Sequence, residues 1–335
     1  MHLLRFVLLR LGWGAVSVLG VIVITFFISR VIPADPAALL AGERATRQQV
    51  ETLRTAYGFD QPLPVQLFAY LQQLAGGDLG RSLFTSRPVV DDLFGRLPAT
   101  IELTLFAMLL TVVLGIPIGV VSALRRNSWL DHAVRVITVS GLAIASFWFA
   151  IILQLVFAMA LGWLPLGGRI SGFPPETVTG LYLVDSLLAG DLAAFQSALS
   201  HIILPAVTLA FPTMATIVRF TRAGVLDTIN QPYVHYERAM GLPGPVIIWK
   251  YVLRNALTST ITQIGLVSGI LLGGAVVIEM VFDWPGLGYY AVNSIVMSDY
   301  NAVLGVTIWI AVIYVLINIL VDVVHALIDP REAVR

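Results

Sequence analysis

The sequence contains no cysteine, a single lysine (Lys250) and few charges of either sign: Asp, Glu, Lys and Arg together make up 12% of its 335 residues. The missing thiols exclude disulfides and thiolate-held metals. The lone lysine is followed by Tyr251, so no Gly-rich loop ending in Lys-Ser or Lys-Thr is present to cradle a nucleotide phosphate. The chain is therefore not itself an ATPase. Formal net charge is zero, which leaves no basic footprint for a nucleic acid. A soluble domain is about 25% charged, and half that amount cannot cover a water-soluble globule. What fills the chain instead is apolar: 58% hydrophobic residues and a mean hydropathy of +0.87. Lipid must solvate part of it.

A helix needs about 20 mostly apolar residues to cross a hydrocarbon layer about 30 Å thick. Six stretches qualify: 11–29, 99–124, 136–161, 202–226, 257–278 and 302–321. None alternates with period two, so a strand barrel is excluded. The first stretch follows Arg5 and Arg10 but is too long for a signal-peptide core of about 7–15 residues, and no small-x-small site follows it. It reads as a retained span. The expectation is an all-α integral membrane protein with six spans.

Short-loop basic residues set orientation. Arg5 and Arg10 precede span one, Arg125 and Arg126 fill the link from span two to three, and Arg219, Arg222, Arg238, Lys250 and Arg254 surround the link from four to five. The link from five to six has no Lys or Arg, and that from three to four has only Arg169. Both termini are thus expected in the cytoplasm. Trp129, Trp163, Trp249 and Trp284 fall at span ends, where interfacial anchors belong. The segment between spans one and two reads as a small extracytoplasmic cap, helical over 46–57 and 64–74 and punctuated at Gly76-Gly77-Asp78 and Arg87-Pro88.

The span centres carry almost no ionisable group. Glu102, Arg135, Glu279 and Asp322 lie within a turn or two of a span end, where snorkelling is cheap. Proton relays need intramembrane Asp, Glu or His, so a proton-coupled carrier is disfavoured, while sodium held by backbone carbonyls stays open. Energy then enters from outside the bilayer, and 222–254 is the one cytoplasmic segment large enough to receive it. Asn230 as N-cap, Pro232 in the first turn and Gly241 with Pro243 as a stop define a helix over 232–240. Tyr233, Tyr236 and Met240 share one face, beside Glu237, Arg238 and Ala239. That face either packs on the protein's own span ends or seats in a partner's groove, where aromatic anchors dominate binding.

Gly265, Gly269 and Gly273 recur every four residues in span five, a stripe that lets helices approach closely. Pro117, Pro205 and Pro212 lie inside spans and should kink them, either lining a path or as static features. The five histidines, His2, His132, His201, His235 and His325, show no metal-ligand spacing, and no Ser/His/Asp or Cys/His nucleophile arrangement stands out. No catalytic or metal residue is assigned.

Three stretches carry a resemblance. They are Tyr233-Val234-His235-Tyr236-Glu237-Arg238-Ala239-Met240-Gly241-Leu242 with Leu253-Arg254-Asn255-Ala256-Leu257; Glu279-Met280-Val281-Phe282-Asp283-Trp284-Pro285-Gly286-Leu287-Gly288 with Asp299-Tyr300; and Gly77-Asp78-Leu79-Gly80-Arg81-Ser82 with Arg96-Leu97-Pro98-Ala99-Thr100. Together with Asp329-Pro330-Arg331 they resemble the permease subunits of bacterial ABC importers, in the dipeptide/oligopeptide/nickel branch. Where the general importer signature begins Glu-Ala-Ala, this chain reads His235-Tyr236-Glu237. The resemblance implies a type I importer permease with an N-terminal span (1–30), a cap (31–96), a transmembrane domain (97–328) containing the coupling segment 222–254, and a cytoplasmic tail (329–335). It implies coupling to an ATPase through Tyr233, Tyr236, Glu237, Arg238, Ala239, Met240 and Gly241. It further implies a second homologous permease, two cytoplasmic ATPase subunits that hold ATP and Mg, and an extracytoplasmic substrate-binding protein. The chain itself would hold no cofactor. Peptide is the expected solute; nickel, glutathione, opines and sugars use the same branch, and a stand-alone secondary carrier and a structural or assembly membrane protein without transport are the remaining alternatives.

Overall fold

The structure is a computed structural model that describes residues 2–31, 37, 45–56, 58, 60–297 and 299–328. Among these residues the only extended pairing is an isolated antiparallel bridge between Arg81 and Pro88; regular structure is otherwise helical. The helices are α1 (His2–Val31), α2 (Arg47–Ala56), α3 (Leu63–Ala75), α4 (Val89–Leu124), α5 (Trp129–Ala143) and α6 (Ser146–Leu153). There follow α7 (Tyr182–Leu188), α8 (Leu192–Ile229), α9 (Pro232–Ala239), α10 (Gly244–Val281), α11 (Leu287–Val296) and α12 (Tyr300–Ile328).

Five helical stretches are long and apolar enough to cross a membrane: Leu8–Ile28, Val89–Leu124, Leu192–Ile229, Gly244–Val281 and Tyr300–Val321. The expected third span, 136–161, differs. It is split into α5 and α6, bent by 111° at the junction, and continues past α6 as a π-helix, Gln154–Ala160. Ile144 and Ala145 at the break are extended, although no Pro or Gly occupies 142–146. Packing on α8 accounts for the bend: the Phe149 ring stacks on Phe211 at 4.6 Å, and a Cβ on Gly141 would meet that same ring at 3.3 Å. Counting the bent pair as one span gives six.

The two proline-bearing spans run on as helices. α8 is continuous through Pro205 and Pro212, and α4 through Pro98 and Pro117. At 1.5 Å per residue, the 38 residues of α8 span about 57 Å, well beyond an apolar layer of about 30 Å. The helix is therefore long enough to continue beyond that layer. The tryptophans separate into two kinds. Trp129, Trp163 and Trp249 are exposed as interfacial anchors should be, whereas Trp284 is only 1% exposed and serves as a core residue.

The chain divides into two compact units: Met1–Leu97 with Tyr289–Ile319, and Pro98–Gly288 with Leu320–Arg335. In the first, α2 opens on a capping box. The Thr46 hydroxyl accepts from the Gln49 N–H at 3.3 Å, and the Gln49 amide oxygen accepts from the Thr46 N–H at 2.8 Å. α3 ends on Gly77 at φ +78°, closed by the Asp78 N–H on the Gln73 carbonyl at 3.0 Å and the Gly77 N–H on the Leu74 carbonyl at 2.9 Å. The helices expected over 46–57 and 64–74 are these two. Asp299 (0% exposed) accepts from the Ser82 hydroxyl at 2.5 Å and the Phe84 N–H at 3.2 Å, and its second oxygen accepts from the Ala302 N–H at the start of α12. Asp92 accepts from the Thr85 hydroxyl at 2.5 Å and from the Tyr290 phenol at 3.0 Å. Burial pushes the Tyr290 phenol up, and the neighbouring Asp92 and Asp299 carboxylates add to the shift against an opposing hydroxyl from Ser82. In the second unit, one core cluster joins α4, α8 and α10 around Leu103, Ile202, Leu271, Ile278 and Trp284. A second gathers Val120, Val225, Val234, Ile247 and Val252.

Candidate functional site

The two ends of α10 carry the two sequence signatures, and they are built differently. At its N-terminal end lies the segment expected to couple. Asn230 closes α8 rather than capping α9: its side-chain amide donates to the Leu226 carbonyl at 3.2 Å, and Gln231 is the N-cap of α9, without a side-chain capping bond. The correction has a simple cause, since α8 runs on to Ile229 and uses Asn230 to finish. Pro232 is the first helical residue, where its missing N–H costs nothing. Gly241 at φ +78° ends the helix, with the Leu242 N–H on the Glu237 carbonyl and the Gly241 N–H on the Arg238 carbonyl. Glycine takes that left-handed backbone at no steric cost.

The inward face of α9 is not the aromatic one. Val234 is fully buried in the cluster with Val120, Val225, Ile247 and Val252. Tyr233 is 37% exposed and its phenol oxygen accepts from the Asn255 side-chain amide at 2.7 Å. Tyr236 and Met240 are 64% and 65% exposed; Arg238 and Ala239 are exposed and Glu237 half-buried. Of the glycine stripe, Gly265 and Gly269 are buried. Gly273 departs from the packing expectation: it is exposed, and a Cβ there would meet nothing within 4 Å. The close approach belongs to Gly274, 3.2 Å from a Leu209 methyl by the same construction.

At the C-terminal end of α10, Glu279 is fully buried. Its carboxylate accepts from the Thr100 hydroxyl at 2.6 Å and the Gly288 N–H at 2.7 Å. The Thr100 hydroxyl also accepts from the Leu287 N–H at 2.8 Å, and the Trp284 indole donates to the Ala99 carbonyl at 2.9 Å. A Cβ on Gly286 would overlap the Glu279 carboxylate, and one on Gly288 would overlap the α10 backbone at Val276. The Trp-Pro-Gly-Leu-Gly run is thereby explained: tryptophan fills and bonds, while the glycines make way for a buried acid.

Beside it, Arg169 donates to Glu102 from Nε at 3.0 Å and Nη2 at 2.5 Å, and to the Gly180 carbonyl at 2.6 Å. Its guanidinium lies over the Tyr182 ring at 3.7 Å. The other Glu102 oxygen accepts from the Leu183 N–H. Both charged side chains are under 10% exposed. The loop that offers Gly180 is tied down by Asp185, which accepts from the N–H groups of Val178, Thr179 and Gly180 and the Thr179 hydroxyl. Burial works against ionisation of Asp185, but those bonds outweigh it and leave its carboxyl below the usual carboxylate range.

Glu102 and Glu279 therefore do not snorkel, as their positions near span ends suggested; both are buried and paired because the protein supplies donors where lipid cannot. Arg135 keeps its side chain 46% exposed, 3.7 Å from Asp131. The side chain of Asp322 and residues 329–335 lie outside the described residues. Sequence reasoning missed two ion pairs, Glu102–Arg169 and Asp131–Arg222, the latter bonded at 2.7 and 2.9 Å. Their partners are 67 and 91 residues apart, so no spacing rule reaches them; the one available signal was Arg169 as the only Lys or Arg in its link. His201 is buried, held by the Ser197 carbonyl and the Ser171 hydroxyl. No group of three acidic or histidine side chains able to hold a metal occurs among the described residues.

A helical chain with five or six candidate spans, and polar clusters tied off among themselves at the far end of α10, is the frame of a membrane transport component. The chain belongs to the family described as binding-protein-dependent transport system inner membrane component, matched over residues 115–334. Residues 3–104 match that family's N-terminal membrane component. It is 47% identical over 322 residues to the probable D,D-dipeptide transport system permease protein DdpB of Escherichia coli (strain K12), covering 95% of each chain. Identity is 39% over 314 residues to the dipeptide transport permease DppB of Alkalihalophilus pseudofirmus, covering 93% of this chain and 94% of that one. It is 38% over 332 residues to the di/tripeptide transport permease DppB of Pseudomonas aeruginosa (strain UCBPP-PA14), covering 98% of each. The chain is accordingly an ABC importer permease of the inner membrane, a transport subunit that works with ATPase and substrate-binding partners.

Proposed function

We propose that this chain is one of two homologous permeases in an importer of dipeptides and oligopeptides. Two ATPase subunits, holding ATP and Mg, dock on the cytoplasmic side against Tyr233, Tyr236, Glu237, Arg238, Ala239, Met240 and Gly241. Both termini share that side. The segment 31–96 stands on the opposite face, where a binding protein delivers the peptide. The relatives named for dipeptide and D,D-dipeptide transport support the substrate class, over nickel, glutathione, opines or sugars.

The observation that carries the docking reading is the pairing of one fully buried anchor, Val234, with two largely exposed apolar side chains, Tyr236 on the same eight-residue helix and Met240 at its C-cap. Exposed Tyr and Met beside an Arg are the composition of a protein contact. Closure of the ATPases would move α9, and α9 would move α8 and α10 with it. Swinging a two-state bundle from 1:99 to 99:1 takes about 5.5 kcal/mol of differential binding.

The chain has no cysteine, so a single introduced thiol reports cleanly. Tyr236→Cys should cross-link to a cysteine on the ATPase in membranes and resist impermeant thiol reagents added to intact cells. Labelling from outside would overturn the orientation and the docking together. The substrate is read by mass spectrometry of the ligand carried by the cognate binding protein; a metal or sugar there would replace the peptide reading.

A further inference from the structure

Two turns before α8 ends, it is fastened to its neighbours by a charge. Asp131 at the start of α5 is fully buried. Its carboxylate accepts from Arg222 Nε at 2.7 Å and Nη2 at 2.9 Å, from the Ser122 hydroxyl of α4 at 2.7 Å, and from the Asn127 N–H of the α4–α5 turn at 3.0 Å. Arg135 stands 3.7 Å away. Asn127 is itself at φ +62°, a backbone that asparagine tolerates and that aims its N–H at the carboxylate. One side chain thus joins α4, the α4–α5 turn, α5 and α8.

The same stretch of α8 is in close contact on its other sides. A Cβ on Gly119 of α4 would sit 2.7 Å from Thr221 and 2.9 Å from the Val218 carbonyl. One on Gly224 would sit 2.6 Å from the Ala256 carbonyl of α10, and the Thr221 and Thr260 hydroxyls lie 3.3 Å apart. Seven residues separate Arg222 from the end of α8 at Ile229, about 10 Å of unbroken helix, and α9 begins at Pro232.

We propose that Asp131 is a positioning residue for transport: through Arg222 it hands the displacement of α9 to α4 and α5, so that the two helices move with α8 instead of slipping past it. The proposal rests on the docking reading of α9. Small-residue contacts alone would hold the helices together but would let them slide along their axes. A bidentate Arg–carboxylate pair fixes register as well as distance, and in a buried setting it resists being pulled apart.

The test uses the whole importer in vesicles, with both permeases, ATPases and binding protein, and reads ATP hydrolysed per solute taken up. Asp131→Asn should raise that ratio roughly tenfold or more, because the stranded Arg222 no longer has its counter-charge. The Tyr236→Cys cross-link to the ATPase should persist in this variant. Exchanging the charges, D131R with R222D, should recover part of the loss, and Ser122→Ala should give a smaller rise. An unchanged ratio in Asp131→Asn with the cross-link intact overturns the clamp and leaves docking standing. A parallel fall of hydrolysis, uptake and assembled complex, without recovery in the exchanged pair, also overturns it, since that is the signature of a fold contact only. Absence of the cross-link in the Tyr236→Cys complex with Asp131 intact overturns the docking reading and the clamp with it.

Discussion

The two ends of α10 offer a comparison within one helix. At the C-terminal end the sequence buries acids and surrounds them with hydrogen-bond donors; at the N-terminal end it holds α9 by one buried valine and the Tyr233–Asn255 bond and leaves Tyr236 and Met240 in the open. The first arrangement is costly to disturb and has one solution. The second is cheap to disturb in the isolated chain, which is what a surface that must engage and release requires. Stability and transport should therefore respond oppositely at the two ends.

The sharpest way to break that contrast is Arg169→Ala, which strands Glu102 among apolar neighbours. It should cost about 3–5 kcal/mol, read as lost protein in membranes and a lowered thermal midpoint in detergent. Gly286→Val comes next, at about 1–3 kcal/mol for forcing a side chain onto the Glu279 carboxylate. Gly241→Ala should cost about 1–2 kcal/mol for its left-handed backbone, without changing the far end. Tyr236→Ala should move stability by no more than about 0.5 kcal/mol while uptake collapses. If Tyr236→Ala unfolds the protein, or Arg169→Ala leaves it intact, the contrast is wrong. A finer probe is acid: the folded-state carboxyl of Asp185 is held down, so its contribution is present above the unfolded value of about 3.9 and is lost as pH falls below it. Asp185→Asn should lose that acid sensitivity, measured as the shift of thermal midpoint between pH 7 and pH 3.

What was legible in the sequence follows from the range of the forces involved. Apolar run length located five spans as unbroken helices, and local pattern located α2 and α3, with Gly76-Gly77 marking the end of α3 within a few residues. The stop at Gly241 is local in the same way. The break at Ile144-Ala145 was hidden because no residue there breaks a helix; the cause is the Phe211 ring on α8, 66 residues on. The burial of Trp284 was hidden for the same reason: its role depends on the Ala99 carbonyl across the bundle. The charges near span ends looked alike in sequence, and only their surroundings separate Arg135, half exposed, from Glu102 and Glu279, sealed within.

Gly286 and Glu279 share one volume, which limits what can vary at either place. A related chain with alanine at the first position must shorten or surrender the acid at the second, so the two should co-vary across relatives, and trimming the acid to Asp should rescue a Gly286→Ala variant better than it serves the wild type.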